Sequence, residues 1–265
     1  AGYVRKNGTI VSELGSLCNF IAPFTDQLIA GGQTGEIFNA LTGEVITQHK
    51  SPLNCGVEYN ANGQHRMVIG SYTGEAIVLI KTEDGKIQFD RNVKFQENAI
   101  KGIGVSDTYI FSVCATGAAG FNDKITFEQA AFIKDGHDQI ANGCVQLSSD
   151  KFASVSRDLC LRIWNTEGVE KFESAHRNSI KCVSSDDKGN FILSGDYTGH
   201  VSLFDVNKKA FVDFMRMSDF GISNISFNAE TQEFMASSYN GKVYTKSLPT
   251  ANQDEGKTER TLEFA

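Results

Sequence analysis

One pattern recurs six times along this chain and limits what it can fold into. An apolar strand carrying small residues runs into a tight turn, and a second apolar strand follows. The copies read "LIAGGQTGEIFNA", "MVIGSYTGEAIVL", "IFSVCATGAAGF", "FASVSRDLCLRIWN", "FILSGDYTGHVSLFDV" and "FMASSYNGKVYTKSL". The second turn residue falls at Gly35, Gly74, Gly117, Leu159, Gly199 and Gly241, at successive spacings of 39, 43, 42, 40 and 42. A fixed period in this range is the mark of a repeat architecture. Thr-Gly and Asn-Gly between alternating apolar residues suit a tight hairpin, because glycine accepts the positive φ such turns require.

Each hairpin has further strands on either side. Upstream lie "SLCNFIA", "LNCGVEYN", "AIKGIGV", "QIANGCVQL", "SIKCVSS" and "GISNISF", each leading through a polar turn; downstream, "GEVITQ", "VEKFESA" and "AFVDFM" supply another strand. That makes four antiparallel strands per repeat. Four strands in about forty residues cannot bury both faces alone, and radial stacking of such sheets is the β-propeller solution. No segment sustains a helical period, so a stack of helix pairs is excluded. The expectation is an all-β propeller of four-stranded blades, one domain over residues 1–265.

The most complete copy pairs Gly136-His137 with "FASVSRD" and an "LRIW" ending at Trp164, the single tryptophan. The next keeps Ala175-His176, "FILSG" and "VSLFD", with Phe204 in the tryptophan's place. These residues resemble the WD-repeat family. Four repeats depart from it by carrying Thr34, Thr73, Thr116 or Thr198 where the family usually has the turn aspartate, and one carries Asn240. The resemblance implies a buried structural tetrad of His137, Ser154, Asp158 and Trp164, with His176 and Thr198 as a weaker copy.

Blade number is read from the ends. "YVRKNGTIVSEL" forms an extra hairpin around Asn7-Gly8, residues 249–258 are a polar linker or loop, and "RTLEFA" is strand-like. Seven blades are favoured, the last shared between the two ends or incomplete, with six as the alternative.

His137, Asp158 and Ser154 or Ser156 also invite a reading as a hydrolytic triad. Neither serine lies in a G-x-S-x-G elbow; both sit in a strand entering a hairpin, and the structural tetrad accounts for the same residues plus Trp164. "GIGVSD" lacks the third glycine and following helix of a dinucleotide fingerprint. The five histidines have no zinc-ligand spacing. Neither catalytic residues nor a metal or cofactor are expected.

A net charge of −7 argues against nonspecific nucleic-acid binding, which needs many Lys and Arg to neutralise phosphates. No apolar run reaches the roughly 18 residues of a membrane span, and no signal peptide is seen. Six cysteines without a CxxC pair fit free thiols in a reducing compartment, hence an intracellular, cytoplasmic protein. The chain opens on Ala1 without methionine, which fits a domain of a longer protein, such as a regulatory or substrate-receptor domain of an enzyme.

Binding is expected on the face that carries the hairpin turns. The residue before each turn's Thr, Asp or Asn is Gln33, Tyr72, Ala115, Arg157, Tyr197 or Tyr239. Tyrosine and arginine are residue types that most often dominate interfaces. Residues flanking the first buried position of each first strand, which the resemblance implies face the same surface, add Asn54, Lys101, Gln139 and Lys181; Lys101 and Lys181 join Arg157 to make the face locally cationic. The expected partner is a protein or peptide, acidic or phosphorylated, held by a scaffold within a larger assembly.

Overall fold

A computed structural model describes residues 2–249 and 259–262 of the chain. The chain divides into two compact units, Ala1–Gly136 and His137–Phe264. The first opens with a hairpin, β1 (Gly2–Lys6) and β2 (Thr9–Leu14), whose turn residues Asn7 and Gly8 both take positive φ. That is the turn geometry matching the right-handed twist of two antiparallel strands.

Three four-stranded sheets follow in this unit. Blade I is β3 (Cys18–Phe24), β4 (Gln27–Gly32), β5 (Glu36–Asn39) and β6 (Val45–Gln48). Blade II is β7 (Leu53–Ala61), β8 (Gln64–Ser71), β9 (Glu75–Lys81) and β10 (Ile87–Lys94). Blade III is β11 (Ile100–Val105), β12 (Tyr109–Cys114), β13 (Ala119–Asp123) and β14 (Gln129–Ile133).

The second unit repeats the plan. Blade IV is β15 (Ala141–Gln146), β16 (Phe152–Ser156), β17 (Cys160–Asn165) and β18 (Gly168–Glu173). Blade V is β19 (Ile180–Ser185), β20 (Phe191–Asp196), β21 (His200–Asp205) and β22 (Ala210–Arg216). Blade VI is β23 (Ile222–Asn228), β24 (Glu233–Ser238), β25 (Val243–Ser247) and β26 (Glu259–Leu262). In all six blades consecutive strands pair antiparallel.

Six blades, not the favoured seven, are therefore present among the described residues. The two ends do not share a sheet: β26 pairs with β25 as the fourth strand of blade VI, and β1 pairs with β2. Strand β26 joins the sheet the chain has just left, the neighbouring connection that antiparallel sheets favour. Of the expected polar linker, all but Pro249 lies outside the described residues.

Within each unit, apolar side chains of one blade pack on the next. Ile29, Ile37 and Phe24 of blade I meet Leu53, Met67, Ile69 and Leu79 of blade II. Val68 and Val78 of blade II meet Ile100, Ile103 and Ile110 of blade III. In the second unit Val155 and Leu161 join Ile180, Ile192 and Phe204, while Leu193, Val201 and Leu203 join Ile222, Ile225 and Phe234.

The turn glycines at 35, 74, 117, 199 and 241 all have positive φ, and Leu159 takes the same left-handed conformation at φ 65°. Gly199 has a second constraint, since a Cβ there would lie 2.0 Å from the Ser218 carbonyl oxygen.

A second periodic feature escaped the sequence reading. Every first strand carries a bulge at the same place, where the register skips Asn19, Asn54, Lys101, Asn142, Lys181 and Ser223. A bulge leaves its extra residue outside the ladder and re-aims its side chain. Where that residue is asparagine, its Nδ2 donates to the carbonyl just before the next blade's bulge. Asn19 reaches Leu53 at 2.7 Å, Asn54 reaches Ile100 at 2.8 Å and Asn142 reaches Ile180 at 2.7 Å.

Replacing Asn142 with alanine should cost about 1–2 kcal/mol, the usual scale for a lost hydrogen bond with a partly buried partner left behind. Urea denaturation measures it. Asn142→Asp, which has the shape but cannot donate, should lose at least as much.

Candidate functional site

The histidine–serine–aspartate constellation of the sequence is assembled in blade IV. The loop before β15 carries His137, β16 carries Ser154, the hairpin turn carries Asp158 and β17 carries Trp164. His137 Nδ1 lies 3.1 Å from Asp158 Oδ2, and its Nε2 lies 2.6 Å from Ser154 Oγ. Trp164 Nε1 donates to the same Ser154 oxygen at 2.7 Å.

A fifth member had no place in the sequence reading. Arg162, opposite Ser154 in the β16–β17 ladder, is buried and donates Nη1 to Asp158 Oδ2 at 2.5 Å while also touching His137 Nδ1. Its sequence signal was an arginine inside the otherwise apolar strand "CLRIW". The Asp158 carboxylate also accepts the backbone N–H groups of Asp138 and Cys160, each at 3.0 Å.

This packing answers the hydrolase reading for these serines. Ser154 is fully buried, with its one oxygen shared between His137 and Trp164. Ser156 is buried too; it donates to the Gln139 carbonyl at 3.3 Å and accepts the Asp158 N–H at 3.1 Å. Neither hydroxyl can reach a substrate in this arrangement.

The same brace recurs in weaker forms. In blade V, His176 Nδ1 lies 2.9 Å from Asp196 Oδ2 and its Nε2 lies 3.0 Å from Ser194 Oγ. The acid is thus Asp196, at the end of β20, and not a group at Thr198 as the aligned turns implied. Thr198 Oγ1 instead donates to Asp196 Oδ1 at 2.8 Å. In blade III, Gln96 stands in the histidine's place and donates Nε2 to Ser112 Oγ at 2.9 Å. In blade VI, Ser218 and Ser238 pair at 2.8 Å.

Burial opposes ionisation of Asp158, but the hydrogen bonds and charges of His137 and Arg162, with the Asp138 N–H, outweigh it and hold the carboxyl well below the usual carboxylate range. Burial pushes the His137 imidazole below the usual histidine range; the Asp158 carboxylate pulls the other way, and the Arg162 charge reinforces burial. For Asp196, burial is again outweighed, here by His176 and Thr198.

The turn-face positions are in register in all six blades. Gln33, Tyr72, Ala115, Arg157, Tyr197 and Tyr239 each donate a backbone N–H to a carbonyl just ahead of their own blade's first strand. The acceptors are Leu17, Pro52, Ala99, Ile140, Ser179 and Gly221, at 2.9–3.4 Å. Their side chains are exposed, except for half-buried Ala115.

In the first unit Tyr72 is 38% exposed, and Lys101 Nζ sits 5.2 Å from its ring centroid, within cation–π range. Gln33 Nε2 donates to Asn19 Oδ1 at 3.2 Å. Asn54 turns its amide inward to the Ile100 carbonyl, so it is a clamp between blades more than a contact for a partner.

In the second unit Arg157 and Gln139 are exposed and Lys181 is half-buried. Tyr197 and Tyr239 are 41% and 57% exposed, and Phe220, which the sequence reading passed over, is 57% exposed. Gly221 brings them together. A Cβ there would lie 2.7 Å from the Tyr197 carbonyl oxygen, and its own carbonyl accepts the Tyr239 N–H at 3.0 Å. Burial raises the Tyr239 phenol above its ordinary range, and the nearby Tyr197 raises it further. Among the described residues no three His, Cys, Asp or Glu side chains converge as metal ligands. No helix among the described residues is long and apolar enough to cross a membrane.

The family WD domain, G-beta repeat, matches residues 169–205, which run from β18 of blade IV to the end of β21 in blade V. A match over 150 residues, 51% of this chain, is 25% identical to Beige protein homolog 1 of Schizosaccharomyces pombe (strain 972 / ATCC 24843). The match spans only 6% of that protein's length.

Among solved structures the chain resembles U3-55K, with a TM-score of 0.76 at 15% identity, covering 89% of this chain and 78% of that one. It resembles the WD40 repeats of RRP9 equally, with a TM-score of 0.76 at 15% identity over 89% and 77% of the two chains. The computationally designed Ika8 protein gives a TM-score of 0.71 at 17% identity over 91% and 75%. The fold is thus that of a β-propeller, and residues 169–205 within it match the WD repeat.

The buried brace should make the protein acid-sensitive. As pH falls below about 6.5, the unfolded chain takes up a proton at His137 that the folded chain refuses; below about 4 the same holds at Asp158 and Asp196. Proton uptake by the unfolded state favours unfolding, so stability is full near neutral pH and drops in two stages on acidification. Thermal melts across this range check it, and His137→Asn should flatten the first stage. Ser154→Ala, which strips partners from both His137 and Trp164, should cost about 1–3 kcal/mol at neutral pH.

Proposed function

We propose that this propeller is a noncatalytic scaffold that holds a protein or peptide partner on its exposed turns, as one module of a larger assembly. The observation that carries the reading is the Tyr197–Phe220–Tyr239 cluster: three large aromatic side chains, all well exposed, on turns that backbone hydrogen bonds hold in place. Rigid aromatic anchors beside a cationic group are the residue types on which interface energy concentrates. Arg157 and Lys181 in the same unit favour a partner bearing carboxylates or phosphate.

The short match within a far longer relative supports service as one domain of a larger protein, including a regulatory or substrate-receptor role beside an enzyme. All six cysteines are free, which suits a reducing, intracellular setting.

The test is affinity capture with the intact chain against a Tyr197→Ala/Phe220→Ala/Tyr239→Ala variant. Partners retained by the native chain should be lost from the variant, while its melting temperature stays close to that of the parent, since exposed substitutions rarely cost more than about 0.5 kcal/mol. Arg157→Glu should weaken the same capture. Full retention by both variants would remove this surface from consideration.

A further inference from the structure

Ladder register aligns blade III with blade IV residue by residue. Ser112 faces Gly120 across β12–β13, as Ser154 faces Arg162 across β16–β17. Two residues further along, Ile110 faces Asn122 as Phe152 faces Trp164. Ahead of the first strands, Gln96 and Glu97 stand where His137 and Asp138 do, counted back from the paired residues Ile100 and Ala141. Blade III therefore has a glycine and an asparagine where blade IV has a guanidinium and an indole. The exchange leaves room. A solvent-open pocket of about 300 Å³ is lined by Phe95, Phe127 and Phe132 together with Gln96 and Asn122. An added Cβ on Gly120 would lie 3.5 Å from the Phe132 ring and 3.0 Å from Gln96 Nε2.

The polar groups of this pocket are short of donors. Gln96 and Asn122 are 1% and 2% exposed. Gln96 Nε2 donates to the Ser112 carbonyl at 3.2 Å as well as to its hydroxyl, and Asn122 Nδ2 donates to the Phe127 carbonyl at 3.0 Å. A carbonyl only accepts, so these bonds fix which way round each carboxamide lies. Gln96 Oε1 and Asn122 Oδ1 are left buried with no hydrogen-bond partner. A buried acceptor without a donor is destabilising until one reaches it. In blade IV the corresponding donor is Arg162, which contacts His137, Asp158 and Asp138.

We propose that the blade III pocket binds a guanidinium group, the arginine side chain of a peptide ligand, in the place Arg162 holds in blade IV. A guanidinium is planar and carries five donors, enough for both orphaned carboxamide oxygens and the Glu97 carboxylate, and it stacks on aromatic faces such as the three phenylalanines. An ammonium has fewer donors and no flat face. The pocket's charged residues are Glu97, which is exposed, and Lys94. The Lys94 ammonium is 3.9 Å from Glu97 and is held by the Thr73 carbonyl at 2.9 Å. Neither Ala1 nor residues 250–258 and 263–265 include an arginine, so the undescribed residues do not supply the group. This site does not depend on the aromatic turns and stands or falls independently of them.

The probes are blocked glycine pentapeptides whose central residue is arginine, lysine or citrulline, titrated into the intact chain and read by the amide chemical shifts of Glu97 and Gly120. The arginine peptide should half-saturate at about 1 mM, because one side chain offers few contact atoms. The lysine and citrulline peptides should bind about tenfold more weakly, having lost the planar fork or the charge. Glu97→Gln should weaken the arginine peptide about threefold, the scale of an exposed ion pair. Gly120→Arg, which supplies a guanidinium from the chain itself, should abolish binding and raise the melting temperature. Asn122→Trp, the blade IV residue at that place, should also block the pocket and serves if Gly120→Arg does not fold. The Tyr197→Ala/Phe220→Ala/Tyr239→Ala variant should bind the arginine peptide normally. The proposal is overturned if the arginine peptide does not saturate, which includes the case of a pocket already filled by another part of the protein. It is equally overturned if the lysine or citrulline peptide binds as tightly, or if Glu97→Gln or Asn122→Trp leaves binding unchanged.

Discussion

A four-stranded sheet with apolar side chains on both faces has no means of burying them by itself, and the rest of this structure depends on that constraint. Within each of the two units, adjacent blades bury those faces against one another, as the Ile37–Leu53–Ile77 and Leu161–Ile180–Phe204 contacts do. Hydrophobic contact supplies most of the stabilisation but is non-directional. Registering one sheet on the next falls to polar contacts of fixed geometry. The bulged asparagines Asn19, Asn54 and Asn142 provide one set, each tying its strand to a carbonyl in the following blade.

The buried brace provides a second set, and its decay around the repeats is informative. Blade IV assembles histidine, serine, aspartate, tryptophan and arginine; blade V loses the tryptophan and recruits an aspartate two residues earlier; blade III keeps a glutamine–serine pair; blade VI keeps two serines. What persists is a hydrogen bond between the loop ahead of the first strand and the second strand or its end. A buried polar network tolerates substitution best when every replacement leaves its neighbours paired; Gln96 and Ser218 each keep a hydrogen bond to the serine of the second strand, while Gln96 Oε1 is left buried without a partner. The addition of Arg162 follows the same logic: a buried guanidinium is sustained because Asp158 and Asp138 accept from it, at 2.5 and 3.3 Å.

Much of the fold was legible in advance because period-two alternation and turn glycines are local signals. The hairpin glycines, the four strands per repeat and the turn-face positions all follow from spacing alone. The candidate surface was legible in part. Tyr72, Arg157, Tyr197 and Tyr239 were found because they precede a recognisable turn, whereas Phe220 sits in a loop of no fixed pattern and joins them only through the close approach of Gly221 to Tyr197. The blade number was misjudged for a related reason. Two strand-like ends look alike whether they pair with each other or with their own neighbours, and pairing is not written in either strand.

The sequence by itself thus determined the repeat, the antiparallel blade and the places where side chains leave the turns, since each depends on backbone preferences of a few adjacent residues. Only the tertiary structure decided which carboxylate serves each histidine, that Arg162 lies buried beside Asp158, and that β26 belongs to blade VI while β1 pairs with β2. Those outcomes depend on contacts between residues distant in sequence, whose geometry is set by the packing of whole sheets.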